Sequence, residues 1–210
     1  MFRDRTDAGR QLAERLAPMS AEAPIVAGLP RGGVPVAAEV AKVLGAGLDV
    51  LIVRKLGAPR QPELGMGAIG EDGIRVLNVD IVRTIGATDA EIAEVETRER
   101  AELARRARRY RGSRESMSLR DRTVIVVDDG FATGGTARAA LRVARAHGAR
   151  RLVLAVPVAP SDTLRALADE ADEIVALLVP DRLFAIGEWY ADFGQTSDEE
   201  VVDLLARVHG

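Results

Sequence analysis

Val124-Ile125-Val126-Val127-Asp128-Asp129-Gly130-Phe131-Ala132-Thr133-Gly134-Gly135-Thr136 decides how this chain is read. Four consecutive apolar residues predict a fully buried parallel strand. Two adjacent carboxylates follow at its C-terminal end, where open α/β sheets bind ligands. The next seven residues hold three glycines and two threonines and run straight into a helix over 134–147, closed by Gly148. Glycines let backbone N–H groups approach a phosphate closely, and a helix N-terminus adds free donors and partial positive charge. Thr133 and Thr136 add hydroxyl donors. Gly-Lys-Ser/Thr is missing, so this is not a Walker A loop, and the glycine spacing does not fit a dinucleotide fingerprint. Acids beside a phosphate cradle repel further phosphate. They suit sugar hydroxyls, or a magnesium ion set between them and a pyrophosphate. The chemistry calls for a phosphorylated sugar with vicinal hydroxyls.

Outward from this stretch the pattern is regular. Strands are expected at 151–156 and 173–179, a helix from Ser161 to Ala168, and a last helix from a capping box at Ser197–Glu200 through Val208. Toward the N-terminus, Asp4 or Thr6 caps a helix ending near Leu16. Ile25 to Leu29 reads as a buried strand broken by Pro30-Arg31-Gly32-Gly33, then a helix follows over 34–44 and a strand over 49–53. Arg54 to Gly73, with two prolines and five glycines, reads as a long loop holding a short strand at Met66 to Ile69, and Ile74 to Leu77 as a further strand. Thr88-Asp89-Ala90-Glu91 opens a long helix to about Tyr110 with a thin apolar stripe of Ile92, Val95, Leu103 and Tyr110. Alternating strands and helices imply right-handed βαβ units and a mainly parallel sheet covered on both faces.

Composition narrows the function. The 210 residues suggest one domain; 47% are apolar and 29% charged, as in an ordinary globular protein. The chain has no cysteine and two histidines, His147 and His209, so any metal must be held by oxygens, which points to magnesium. A net charge of −3 gives no electrostatic case for nucleic acid. The basic run Arg105–Arg109 reads as a solvated helix end. No apolar run approaches a membrane span, and Met1 to Ala17 lacks a signal-peptide core, so a cytoplasmic protein is expected.

The 124–136 stretch resembles the motif by which type I phosphoribosyltransferases bind 5-phosphoribosyl-1-pyrophosphate (PRPP). Leu29-Pro30-Arg31-Gly32-Gly33-Val34 resembles the pyrophosphate loop of the purine members. Arg54 and Lys55 match, by position, the basic residues of a mobile loop that closes over PRPP. The order of these pieces is similar to the family over about 24–180. Arg54 to Pro59 and Trp189-Tyr190-Ala191-Asp192-Phe193 resemble a narrower bacterial group of such proteins, found alone or fused to a hydrolase domain.

The resemblance implies an α/β fold, a doubly wound, mainly parallel sheet flanked by helices, with a small hood. A single domain is expected over 1–210, the hood coming from the termini at about 1–20 and 180–210. It implies PRPP, magnesium and a nucleobase-like acceptor, with release of pyrophosphate and a place in nucleotide metabolism. Asp128 and Asp129 would hold the ribose hydroxyls and magnesium. Gly130, Phe131, Ala132, Thr133, Gly134, Gly135 and Thr136 would anchor the 5-phosphate. Arg31, Gly32, Gly33, Arg54 and Lys55 would meet the pyrophosphate. Phe184, Trp189, Tyr190 and Asp192 are candidates for the acceptor site; the aromatic cluster is equally readable as core or as a dimer contact. The 6-oxopurine enzymes carry a lysine where this chain has Pro157-Val158-Ala159-Pro160, which speaks against purine salvage. Alternatives are a PRPP-sensing regulator without transferase activity and a PRPP-dependent enzyme with a non-base acceptor. The long 88–110 helix is compatible with a homodimer.

Overall fold

The computed structural model describes residues 1–112 and 114–208; His209 lies outside them. Five parallel strands form the central sheet: β1 (Ile25–Gly28), β2 (Gly47–Val50), β6 (Thr123–Val127), β7 (Arg151–Val158) and β8 (Glu173–Leu178), in the order β2-β1-β6-β7-β8. A separate antiparallel sheet joins β3 (Val53–Ala58), β4 (Gln61–Gly70) and β5 (Arg75–Leu77). The helices are α1 (Arg5–Leu16), α2 (Gly33–Leu44), α3 (Val79–Ile85), α4 (Asp89–Arg111), α5 (Gly135–Ala146), α6 (Ser161–Leu167) and α7 (Asp198–Val208).

Strand periodicity of two divides the apolar residues between two cores. Val26, Ile125, Val127, Val153 and Ala155 face one side, where they join Leu12 and Leu16 of α1, Val36 and Val40 of α2, Leu103 of α4 and Leu205 of α7. Ile25, Ala27, Val124, Val126, Leu152 and Leu154 face the other, against Ala137, Ala140, Leu141 and Ala144 of α5. Every residue of β6 is buried, which is why its sequence is continuously apolar rather than alternating. The doubly wound expectation therefore holds in detail.

The order of strands places the site. From β1 the chain builds outward through β2, then returns to the other side of β1 for β6, β7 and β8. The reversal falls between β1 and β6, which pair from Ile25↔Val124 to Gly28↔Val127. In open α/β sheets the crevice at the carboxyl end of such a pair is where ligands bind.

The expectation of a loop over 54–73 is corrected. This segment is a hairpin, β3 paired with β4 from Val53↔Gly70 to Ala58↔Gln61, with irregularities around Gly57. Gly57 and Gly67 answer crowding rather than flexibility. A Cβ on Gly57 would overlap the Pro62 carbonyl oxygen, and one on Gly67 would lie 2.5 Å from that of Val76. The helix α3 is a further addition to the sequence reading. It is announced by Asn78, whose side chain accepts from the Ile81 N–H at 3.2 Å, and by Gly86 in the left-handed conformation at its end.

The long helix α4 starts at the expected capping box, with Thr88 and Glu91 each bonded to the other's backbone. Its stripe of Ile92, Val95, Leu103 and Tyr110 is buried as read. It ends in a buried charge cluster. Arg111 pairs with Asp49, reaches Glu71 at 2.8 and 3.1 Å and donates to the Val50 carbonyl at 2.7 Å. Asp49 also accepts the Met117 N–H at 2.8 Å. A cavity of about 310 Å³ adjoins this cluster, but the charged groups there already satisfy one another.

Removing Asp49 would leave Arg111 with Glu71 as its one carboxylate and the Met117 N–H without its acceptor, at a cost of about 2 kcal/mol. Asp49→Ala is expected to lower the free energy of unfolding by about that amount. Urea denaturation checks it, the midpoint falling with little change in slope.

Candidate active site

The loop after β1 and the loop after β6 pack onto each other. Leu29 N–H donates to the Val127 carbonyl at 2.8 Å, and Gly33 N–H donates back to the Leu29 carbonyl at 3.0 Å. Gly32 and Gly33 then run directly over the two acids. A Cβ on Gly32 would overlap Asp129 Oδ2, and one on Gly33 would lie 2.6 Å from the Val127 carbonyl oxygen and 2.9 Å from Asp128 Cα. Neither position has room for a side chain, which ties Arg-Gly-Gly to Asp-Asp as one unit.

The acids differ from each other. The Asp128 carboxylate accepts the Asp129 N–H at 2.9 Å. Enclosure in protein pushes its carboxyl well above the ordinary aspartate value, and the Asp129 charge adds to the push; a partial opening onto the crevice tempers the first effect. Asp129 is buried and carries a partner of its own. Arg5, at the start of α1, donates Nε to Asp129 Oδ2 at 2.7 Å and Nη1 to the Gly194 carbonyl at 2.6 Å. The Arg5 guanidinium lies 3.9 Å from the Phe193 ring centroid. Tyr190 donates its hydroxyl to the Asp129 carbonyl at 2.6 Å. Burial, with the Asp129 charge, pushes this phenol up and keeps it a donor.

The two ends of the chain meet here. Phe2 forms a parallel bridge with Tyr190, and Asp192 N–H donates to the Arg3 carbonyl at 2.8 Å. Phe2, Tyr190 and Phe193 stack in sequence, with centroids 5.3 and 4.9 Å apart. Arg5 and Gly194 escaped the sequence reading. Only the nearness of both termini to the sheet's C-terminal edge makes them neighbours of Asp129, and no local pattern reports that.

The cradle begins with Gly130 and Gly134, both at positive φ, 149° and 68°. Phe131 is buried and packs into the α5 core, while the Ala132 carbonyl accepts the Thr163 hydroxyl at 2.7 Å. Thr133, Gly135 and Thr136 face solvent at the first turn of α5. Gly135 is the informative residue. Its φ is ordinary, and a Cβ built on it would meet no protein atom within 4 Å. Neither the fold nor the backbone needs a glycine there. The space it leaves lies at the free N–H groups of a helix N-terminus, which suits a phosphate.

The basic residues are placed as follows. Lys55, on β3, donates Nζ to the Glu63 carbonyl at 3.1 Å. Arg54 pairs with Glu99 of α4 at 2.6 Å. Both line a cavity of about 370 Å³ that also reaches Leu29, Pro30 and Thr136. Arg31 leaves its loop in another direction, its Nη1 4.0 Å from Asp198 of α7. The aromatic candidates separate. Tyr190 is buried, Trp189 is half-buried with its Nε1 enclosed, and Phe184 is 83% exposed. Asp192 accepts the Gly194 N–H at 3.1 Å and closes the terminal turn.

Among the described residues no group of three or more His, Cys, Asp or Glu is arranged to hold a metal. Two adjacent carboxylates, one already bonded to Arg5, fit magnesium only alongside oxygens brought by a ligand.

A doubly wound sheet carries an acid pair and a glycine-rich turn at its switch point, the place where open α/β sheets bind ligands. The phosphoribosyl transferase domain family matches residues 5–187, and the chain belongs to that family. The "Putative phosphoribosyl transferase Rv0571c" of Mycobacterium tuberculosis is 57% identical over 209 residues, covering all of this chain and 47% of that protein. The chain thus spans about half the length of this relative. An adenine phosphoribosyltransferase of Mycobacterium marinum is 33% identical over 158 residues, which are 75% of this chain and 66% of that one. Among solved structures, TT1426 from Thermus thermophilus superposes with a TM-score of 0.93 at 48% identity, over 100% of this chain and 99% of that one.

Gly135→Ala is expected to leave the melting temperature unchanged or slightly higher, because the position tolerates a side chain. It should weaken binding of a sugar phosphate by roughly tenfold or more, as calorimetry with ribose 5-phosphate would show, if the vacant space is the phosphate's. A second expected outcome concerns Asp128, whose pKa is higher folded than unfolded. The folded state then holds the proton more tightly, so stability falls as pH rises from about 4 toward the folded value. Asp128→Asn has no such proton to lose. It should melt higher than the wild type at neutral pH, with the difference vanishing below about pH 4.

Proposed function

We propose that this chain is a phosphoribosyltransferase that moves a 5-phosphoribosyl group from PRPP to a nucleobase-like acceptor and releases pyrophosphate. The observation that carries the reading is the joint occurrence of a space kept open by Gly135 and an acid pair covered by Gly32 and Gly33, both at one switch point. The first accommodates the 5-phosphate, and the second accommodates ribose hydroxyls. Family membership and a relative named as an adenine phosphoribosyltransferase support the same reading.

In this mechanism the bond from C1 to pyrophosphate breaks with its electron pair on the leaving group. The lone pair of an acceptor nitrogen forms the new bond, and the nitrogen then gives up its proton to water or to the released pyrophosphate. Positive charge develops on the sugar ring, so catalysis is mainly positioning and electrostatic stabilisation. Asp128 and Asp129 accept hydrogen bonds from the ribose hydroxyls and favour that charge. Gly130 to Thr136 hold the 5-phosphate, with Phe131 contributing only backbone because its side chain is buried. Gly32 and Gly33 offer backbone donors, and Lys55, Arg54 and Arg31 neutralise the pyrophosphate. For the last of these, Arg31 must swing away from Asp198.

Magnesium bound with PRPP would be held at Asp128 and Asp129 and would supply positive charge against the pyrophosphate. Arg5 holds Asp129 in place through the bond to Oδ2. We assign the acceptor hood to the termini, about 1–20 and 180–210, where Phe184 and Asp192 are exposed, Trp189 is half-buried and Tyr190 donates its hydroxyl to the Asp129 carbonyl. Such a reaction belongs to nucleotide metabolism in the cytoplasm. No helix among the described residues is long and apolar enough to cross a membrane.

Calorimetry with PRPP and magnesium tests the reading, with Asp128→Asn/Asp129→Asn beside the wild type and a nucleobase screen for pyrophosphate release. Expected are binding to the wild type, its loss by roughly a hundredfold in the variant, and release with one base. Wild-type protein that ignores PRPP would overturn the proposal. Binding with no release from any base would replace transfer by sensing or by a different acceptor.

A further inference from the structure

The helix α4 turns two arginines toward the cavity that holds Lys55 and Thr136. Arg98 and Arg106 line it together with Arg54, and the facing carboxylates are Glu63 and Glu99. Four cations and two carboxylates therefore share one concave space of about 370 Å³. The sequence presents Arg106 as part of a solvated basic run; the fold places it at the edge of the phosphate cradle.

The pairing of these cations is incomplete in a particular way. Glu99 accepts from Arg54 at 2.6 Å and from Arg98 at 3.3 Å, so one carboxylate serves two guanidinium groups. Glu102, one turn further on α4, accepts from Arg105 at 2.8 and 2.9 Å and from Arg106 at 2.8 Å. Its hydrogen bonds to Arg105 and then Arg106 hold its carboxyl down at about 2, so it stays charged. Again one carboxylate serves two cations. In each case a single negative charge is set against two guanidinium groups. Among the described residues, the Nε contact with Glu102 is the one hydrogen bond the Arg106 side chain makes. A guanidinium has five N–H donors in a planar fork, suited to two oxygens of a phosphate.

We propose that α4 forms a wall of the pyrophosphate site, with Arg106, and Arg98 beside it, binding the pyrophosphate group of PRPP. The inference rests on the PRPP reading above and adds residues to it from a helix that the nucleotide-binding loops do not include. A helix anchored on β3 through Arg54 and Glu99 presents these donors already ordered. A hairpin and a helix then share the work of neutralising the leaving group.

Arg105 provides an internal control. It sits next in sequence, shares Glu102 with Arg106, is 61% exposed and does not line the cavity. Arg106→Gln, Arg98→Gln and Arg105→Gln would each be titrated with inorganic pyrophosphate plus magnesium, with PRPP plus magnesium, and with ribose 5-phosphate. Arg106→Gln is expected to weaken pyrophosphate and PRPP by about tenfold or more, the usual effect of losing a charge-assisted hydrogen bond. Arg98→Gln should have a smaller effect in the same direction. Ribose 5-phosphate, which lacks the pyrophosphate, should bind all three variants as it binds the wild type, and that result also shows that the variants are folded. Arg105→Gln should match the wild type throughout. Pyrophosphate affinity unchanged in Arg106→Gln would overturn the inference. Equal losses in Arg105→Gln and Arg106→Gln would overturn it too, because diffuse charge would then suffice. Wild-type protein that ignores PRPP and ribose 5-phosphate would remove the transferase reading alone; pyrophosphate binding that still depended on Arg106 would keep the anion site.

Discussion

Two adjacent carboxylates at the end of a wholly buried strand are a destabilising arrangement, and much of the molecule is organised around tolerating it. Like charges at neighbouring positions oppose joint ionisation, and enclosure makes the opposition stronger. The structure answers with unequal environments. Asp128 is pushed upward by burial and by its neighbour, whereas Asp129 is given a guanidinium, an aromatic brace and a backbone tether through Arg5, Phe193 and Tyr190. The two glycines of the β1 loop complete the enclosure, since any side chain at Gly32 would strike the Asp129 carboxylate. A fold built for stability alone has no use for this pair, and it stands at the switch point between β1 and β6, where open α/β sheets bind ligands.

The same constraint explains how much the sequence revealed. The strand, the acids and the cradle lie within thirteen consecutive residues, so their chemistry is local and legible. Burial on both faces of the sheet requires unbroken apolar strands, and β6 and β7 show them without ambiguity. The 54–73 segment misled because glycine and proline carry two meanings. They mark turns, but they also mark places where two backbones press together, and Gly57 and Gly67 are of the second kind. Only the register of the paired strands distinguishes these meanings, and composition does not display a register.

The least legible parts were those built from distant segments. Arg5 and Asp129 are 124 positions apart, and Arg31 reaches Asp198 on the last helix. An arginine in the first turn of an N-terminal helix looks like any surface arginine. Likewise the Arg105–Arg109 run reads as a solvated end, because helical spacing shows which residues share a face but not what the face looks upon. The structure resolves the run into members with different tasks. Arg105 is exposed, Arg106 borders the cavity, and Arg109 reaches Asp198 and Glu199 on α7.

A net charge of −3 does not by itself decide how the chain binds anions. Overall charge sets long-range attraction, but a site acts through the charge left over locally after internal pairing. The chain has slightly more carboxylates than cations, yet on α4 single carboxylates are shared between pairs of arginines, and the surplus falls beside Lys55 and Thr136. At the acid pair the balance runs the other way, with two carboxylates and one guanidinium. A ligand with an electron-rich tail and a ring that becomes positive as its bond breaks matches that gradient from end to end. An electrically neutral sugar or a simple phosphate matches only part of it. Under the proposed transfer reaction, this uneven distribution of paired charge, more than any single residue, is what would recognise a sugar pyrophosphate.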